Sequence, residues 1–169
     1  MEASHATPAV QRTTPPAVMV RIANPVLRRL LRSPLHRAVS GQLMLLRLRG
    51  RRTGRELELP VARQEHQGRL AVYSNSTWRL NFRGGHDAEV VLEGAPQRVR
   101  GTLVEDVDEV TGAYAEQIRR LGWKAAQRRL GVRITVEREP TREELAAAVR
   151  DSGLSIVVFD RPADGTSAG

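Results

Sequence analysis

Two stretches of this 169-residue chain gather side chains that can hold an anion. The first, Gly50-Arg51-Arg52-Thr53-Gly54-Arg55, sets three guanidinium groups and a hydroxyl among glycines. Arginine grips phosphate oxygens with paired hydrogen bonds, and glycine lets backbone amides approach a ligand closely. Such a turn can cradle a phosphate. A solvated basic turn has the same composition, and both readings stand at this point. The second stretch, Ser74-Asn75-Ser76-Thr77 followed by Trp78 and Asn81, offers hydroxyls and amides beside an indole large enough to wall a flat ring. Trp78 and Phe82 are also spaced as helical core residues would be.

No residue is assigned to proton transfer or to a metal. The chain has no cysteine, which removes thiol catalysis, thiolate metal sites and disulfides. His5, His36, His66 and His86 show no ligand spacing, and only His86 adjoins the tryptophan stretch. Tyr73 and Tyr114 are the only tyrosines, and nothing in their neighbours singles out either as a proton donor.

The formal net charge of +8 is unevenly spread. Residues 1–55 hold eleven arginines against the single acid Glu2, whereas residues 56–169 hold 16 bases and 18 acids. With only 4% aromatics, the chain lacks the stacking platforms of single-strand binders, so nucleic acid is not an expected partner. No apolar run reaches the roughly 20 residues of a membrane span, and the first residues lack the apolar core of a signal peptide. A cytoplasmic protein is expected. Residues 18–39 repeat apolar positions at helical spacing with arginines between them. They read either as a helix packed on its own domain or as a peripheral contact with the inner face of a membrane.

The positioning elements follow from period and punctuation. Alternating or apolar runs predict strands at 42–49, 56–65, 69–76, 88–94, 97–106 and 154–160. Helical runs cover 107–121, 123–130 and 141–151, the last opened by the capping box Thr141-Arg142-Glu143-Glu144. Residues 1–17 and 162–169 read as disordered flanks of a single domain over 18–161. The expected fold is α+β: a six-stranded antiparallel sheet closed into a barrel, with flanking helices.

Taken together, "LLRLRGRRTGRELELPVA" and "AVYSNSTWRLNFRGGHDAEVVLEGAPQRVRGTLVED" resemble the deazaflavin-dependent nitroreductase family. That family has a split β-barrel related to flavin reductases and pyridoxamine-phosphate oxidases. Its G-R-x-S-G turn, Pro-Leu pair and W-Y-H-N-L segment correspond here to Gly50–Gly54, Pro60-Val61 and Trp78–Phe82. The resemblance implies hydride transfer from reduced coenzyme F420 to a small-molecule quinone, nitro compound or activated double bond, in a homodimer. It places Arg51, Arg52, Thr53 and Gly54 at the cofactor phosphate, with Arg55 or Arg63 standing in for cations that family members often carry where this chain has Leu57 and Asn75. Pro60 and Val61 would lie along the ring, and Ser74, Asn75, Ser76, Thr77, Trp78 and Asn81 would complete the site. Flavin mononucleotide (FMN), haem and a non-catalytic binding role of the same barrel stay open beside F420.

Overall fold

The computed structural model describes residues 8–12 and 42–161; the 18–39 segment lies outside the described residues. In chain order the strands are β1 (Val10–Arg12), β2 (Leu43–Arg49), β3 (Glu56–Ala62), β4 (Gln64–His66), β5 (Arg69–Ser74), β6 (His86–Leu92), β7 (Ala95–Val104), β8 (Val132–Ile134) and β9 (Ser155–Asp160). The helices are α1 (Val107–Leu121), α2 (Trp123–Leu130) and α3 (Arg142–Ser152), and Thr77–Phe82 forms a 3₁₀ turn. They group into two compact units.

The larger unit is a seven-stranded sheet in the order β3-β2-β6-β7-β9-β5-β4. Its outermost strands, β3 and β4, are joined by the single residue Arg63, so the sheet curls until its two edges approach each other. The β2–β3, β2–β6, β6–β7 and β4–β5 pairs are antiparallel. Seven strands replace the expected six because the 56–65 run is two strands broken at Arg63. The hairpin turns Gln67-Gly68 and Glu93-Gly94 have φ of 51° and 74°, and of 51° and 81°. Positive φ at both central residues is the geometry whose twist matches a tight hairpin.

Strand alternation sorts the sheet's side chains. One face carries Met44, Leu46, Leu48, Val61, Val90 and Val99 into a core with Phe82 and Phe159. Gly101 shares that face and has to be glycine, since a Cβ there would lie 2.3 Å from Phe82 Cδ1 and 3.1 Å from Phe159 Cε1. On the opposite, outer face, β2, β3, β6 and β7 carry Arg47, Arg49, Glu56, Glu58, Asp87, Glu89, Arg98 and Arg100 at one end, and Leu45 and Val91 are buried together at the other.

The smaller unit holds the three helices, the two-stranded β1–β8 sheet and residues 73–75. Strand β1 lies within the 1–17 lead-in expected to be disordered; it forms because Val10 and Gln11 pair with Ile134 and Arg133 of β8. Helix α1 is capped by Asp106, whose carboxylate accepts from the Glu109 amide at 2.9 Å. Helix α3 has the predicted capping box: Thr141 Oγ1 accepts from the Glu144 amide, and Glu144 accepts from the Thr141 amide. Arg138 adds two further donors to Glu144, at 2.7 and 2.9 Å. With the Thr141 backbone bond, they lower the Glu144 pKa to about 2.

This depression has a defined sign. The ionised Glu144 is favoured in the folded state, so its contribution is complete above the ordinary carboxylate range and is lost as pH falls through about 2. Melting temperature is expected to fall on acidification from about pH 4.5 toward 2, with Glu144→Gln flattening part of that limb. A wild-type-like acid limb in the variant would remove Glu144 from the account.

Tyr73 packs edge-on against Tyr114, with ring centroids 5.0 Å apart. Burial pushes the Tyr73 phenol up to about 12 against a smaller opposing hydrogen bond with Gln117. Here the neutral form is favoured, so stability is intact below pH 10 and declines as pH rises toward 12. Phenolate absorbance should include a group ionising near pH 12 that is absent in Tyr73→Phe. Complete titration of both tyrosines by pH 10.5 would contradict this burial.

Candidate functional site

The Gly50–Arg55 turn closes the β2–β3 hairpin and is internally bonded. The Gly50 amide donates to Arg55 O and the Gly54 amide to Gly50 O, both at 2.8 Å. The Arg55 amide donates to Thr53 Oγ1 at 3.3 Å, and the Arg51 amide to Asn81 Oδ1 at 2.9 Å. Four amides of the turn are therefore already engaged by the protein. An anion arriving here meets side chains in place of a ring of free N–H groups.

The three arginines of the turn divide by partner. Arg51 donates through Nη1 to Arg83 O at 2.7 Å and through Nη2 to Gly85 O at 2.5 Å. Its Nε faces His86 Nδ1 at 3.4 Å, and His86 Nε2 lies 2.7 Å from Arg49 O. These partners assign the His86 proton to Nε2, leaving Nδ1 as the acceptor. Gly85, at φ 90°, takes a conformation that suits glycine and turns its carbonyl toward Arg51. Arg52 and Arg55 are exposed and make no ion pair or side-chain hydrogen bond among the described residues. Thr53 Oγ1 accepts one bond and keeps its proton to donate.

Next to the turn, an open groove of about 1020 Å³ runs over β2, β3, β6 and β7. Cross-strand register stacks its charges in rows. Glu58 and Glu89 flank Arg47 at 2.8 and 2.6 Å, and Glu89 stands opposite Arg98. Beside that row, Arg49 meets Glu56 at 3.4 Å and Asp87 meets Arg100 at 2.8 Å. Opposite charges facing each other across strands support the sheet. The hydrogen bond that Arg47 donates to Glu89, and after it the one to Glu58, holds Arg47 protonated more firmly than usual. The groove lining carries Arg47, Arg49 and Arg98 against four carboxylates, so it has no excess of positive charge.

The other residues singled out in the sequence fall in different places. Pro60 stands opposite Leu45 on the face that carries Glu58, whereas Val61 is buried in the core opposite Met44. Trp78 meets Phe82 edge-on at 6.0 Å, and its carbonyl accepts from Asn81 Nδ2 at 2.8 Å. Asn81 thus joins the 3₁₀ turn to the basic turn. The Ser76 carbonyl accepts from the Arg79 amide at 3.2 Å and from Nη1 of the same residue at 3.1 Å, and Thr77 begins the 3₁₀ turn. Ser74 and Asn75 belong to the helical unit, where the Ser74 carbonyl accepts from Ser155 Oγ. Two features went unread in the sequence: the His86 link and the cross-strand charge rows. The rows had a signal, the period-two Arg and Glu of "LRLR" and "ELEL".

Among the described residues no group of three His, Asp or Glu could hold a metal ion, and no helix is long and apolar enough to cross a membrane. No family model matches the chain, and no curated protein matches it. Among solved structures, one described as a domain-swapped dimer aligns with 83% of this chain and 98% of its own length. The identity is 14% and the TM-score 0.42.

Proposed function

We propose that the protein is a split-barrel oxidoreductase that takes hydride from reduced coenzyme F420 and passes it to a quinone, nitro compound or activated double bond. The observation that carries this reading is the pair Arg52 and Arg55: two uncommitted guanidinium groups on an internally bonded turn at the end of an open groove. Their donor chemistry fits a phosphate, and the Thr53 hydroxyl adds a third donor. Pro60 would lie along the ring from the outer face, with the backbone of Val61 beside it and Trp78 and Asn81 fixing the loop that borders it. F420 supplies the hydride chemistry when bound. The chain's part is to hold the phosphate, orient the ring and exclude water. The proposed assembly is a homodimer acting on a small-molecule acceptor.

One observation favours a second reading. A groove with three arginines and four carboxylates offers no cationic track for an oligoglutamate tail, which suits FMN, a phosphate-bearing cofactor without such a tail. Anaerobic turnover separates the two. Protein given reduced F420 with a naphthoquinone, a nitroaromatic or an enone should consume it above the uncatalysed rate, while reduced FMN should not. Activity with reduced FMN alone would replace F420 by FMN, and activity with neither would remove the oxidoreductase reading.

A further inference from the structure

We infer that Arg51 is a positioning residue and makes no contact with the anion: it clasps the basic turn to the loop at 83–86 so that Arg52 and Arg55 are presented together. This rests on the proposed phosphate role of the turn, and it divides the work of three adjacent arginines that look equivalent in sequence. Arg51 commits three donor directions to the protein, to Arg83 O, to Gly85 O and to His86 Nδ1. Its amide is fixed by Asn81 Oδ1, and Asn81 is fixed in turn by the Trp78 carbonyl. His86 closes the circuit by bonding Arg49 O, the last residue of β2 before the turn. Bidentate recognition of phosphate needs a fork that is free to face it, and the Arg51 fork already faces two carbonyls. Arg52 and Arg55 make no such contacts among the described residues.

A clasp lowers the cost of binding by ordering the turn in advance, and that leaves a signature distinct from direct contact. Removing a cation that touches the anion weakens binding and also reduces its sensitivity to salt, because screening then acts on fewer charges. Removing the clasp weakens binding while the salt sensitivity stays. The test pairs hydrogen exchange on the free protein with titration of oxidised F420 at low and high salt, for Arg51→Gln, Arg52→Gln, Arg55→Gln and Asn81→Ala. In the free protein, Arg51→Gln and Asn81→Ala should exchange the amides of 50–55 at least tenfold faster than wild type, and Arg52→Gln and Arg55→Gln should match wild type. On titration, the first two should lose about tenfold in affinity with wild-type salt sensitivity, and the other two should lose affinity together with salt sensitivity. Asn81→Ala retains every arginine, so its result does not depend on Arg51→Gln folding. The inference is overturned if the turn stays protected in both clasp variants, or if Arg51→Gln flattens the salt response as Arg52→Gln does. If wild type binds no F420, the functional reading fails, and the exchange rates still decide whether the clasp exists.

Discussion

Gly101→Ala is expected to destabilise the protein by about 3 kcal/mol, the upper end of the usual cost of overpacking a core. The added methyl carbon would lie 2.3 and 2.5 Å from two ring carbons of Phe82 and 3.1 Å from Phe159. Phe82 has no room to retreat. It is fully buried, with Trp78, His86 and Phe159 rings at 6.0, 5.9 and 5.6 Å in edge-on contact. For a chain of this length that cost corresponds to a drop of roughly 6–12 °C in melting temperature. Adding Phe82→Leu should return part of it, because a smaller side chain at 82 opens the space the methyl needs, and the two changes will then be non-additive. Thermal and urea melts of the single and double variants measure this. A Gly101→Ala protein within about 0.5 kcal/mol of wild type would contradict the packing of β7 against the 3₁₀ turn.

The second large effect concerns binding alone. Arg52→Ala combined with Arg55→Ala should weaken F420 affinity by about 100-fold. A hydrogen bond to a charged group contributes about 1.5–3 kcal/mol, and exposure at this turn puts each residue near the lower end, about tenfold. Stability should not follow. Both side chains are exposed and neither makes a hydrogen bond or ion pair with another described residue, and substitutions at such surface positions usually stay within about 0.5 kcal/mol. A double variant with wild-type affinity would take the phosphate away from this turn; one that melts early would show the two arginines to be structural.

Most of the strand and helix pattern was legible because each element obeys one local rule. Period-two alternation set the two faces of β2 and β3, and the Thr141–Glu144 capping box set the start of α3. Strand β1 was not legible, because three residues in an Ala- and Pro-rich lead-in acquire strand character only from a partner more than a hundred residues away. The break at Arg63 was hidden for a related reason: Gln64-Glu65-His66 follows β3 with no glycine or proline to mark a stop, and its strand character comes from pairing with β5 at the opposite edge of the sheet. At the site, composition marked the basic turn and could not rank its arginines. Arg51 differs from Arg52 only through Asn81, Arg83, Gly85 and His86, contacts 30 to 35 residues distant that no local pattern encodes.

The most direct test of the central reading is a fluorescence titration of the full chain with oxidised F420, run beside FMN and with an absorbance scan of the protein as isolated. F420 binding should be saturable at micromolar concentrations and weaken with added salt, with no comparable uptake of FMN. Absence of F420 binding, with an FMN or Soret band in the isolated protein, would contradict that reading.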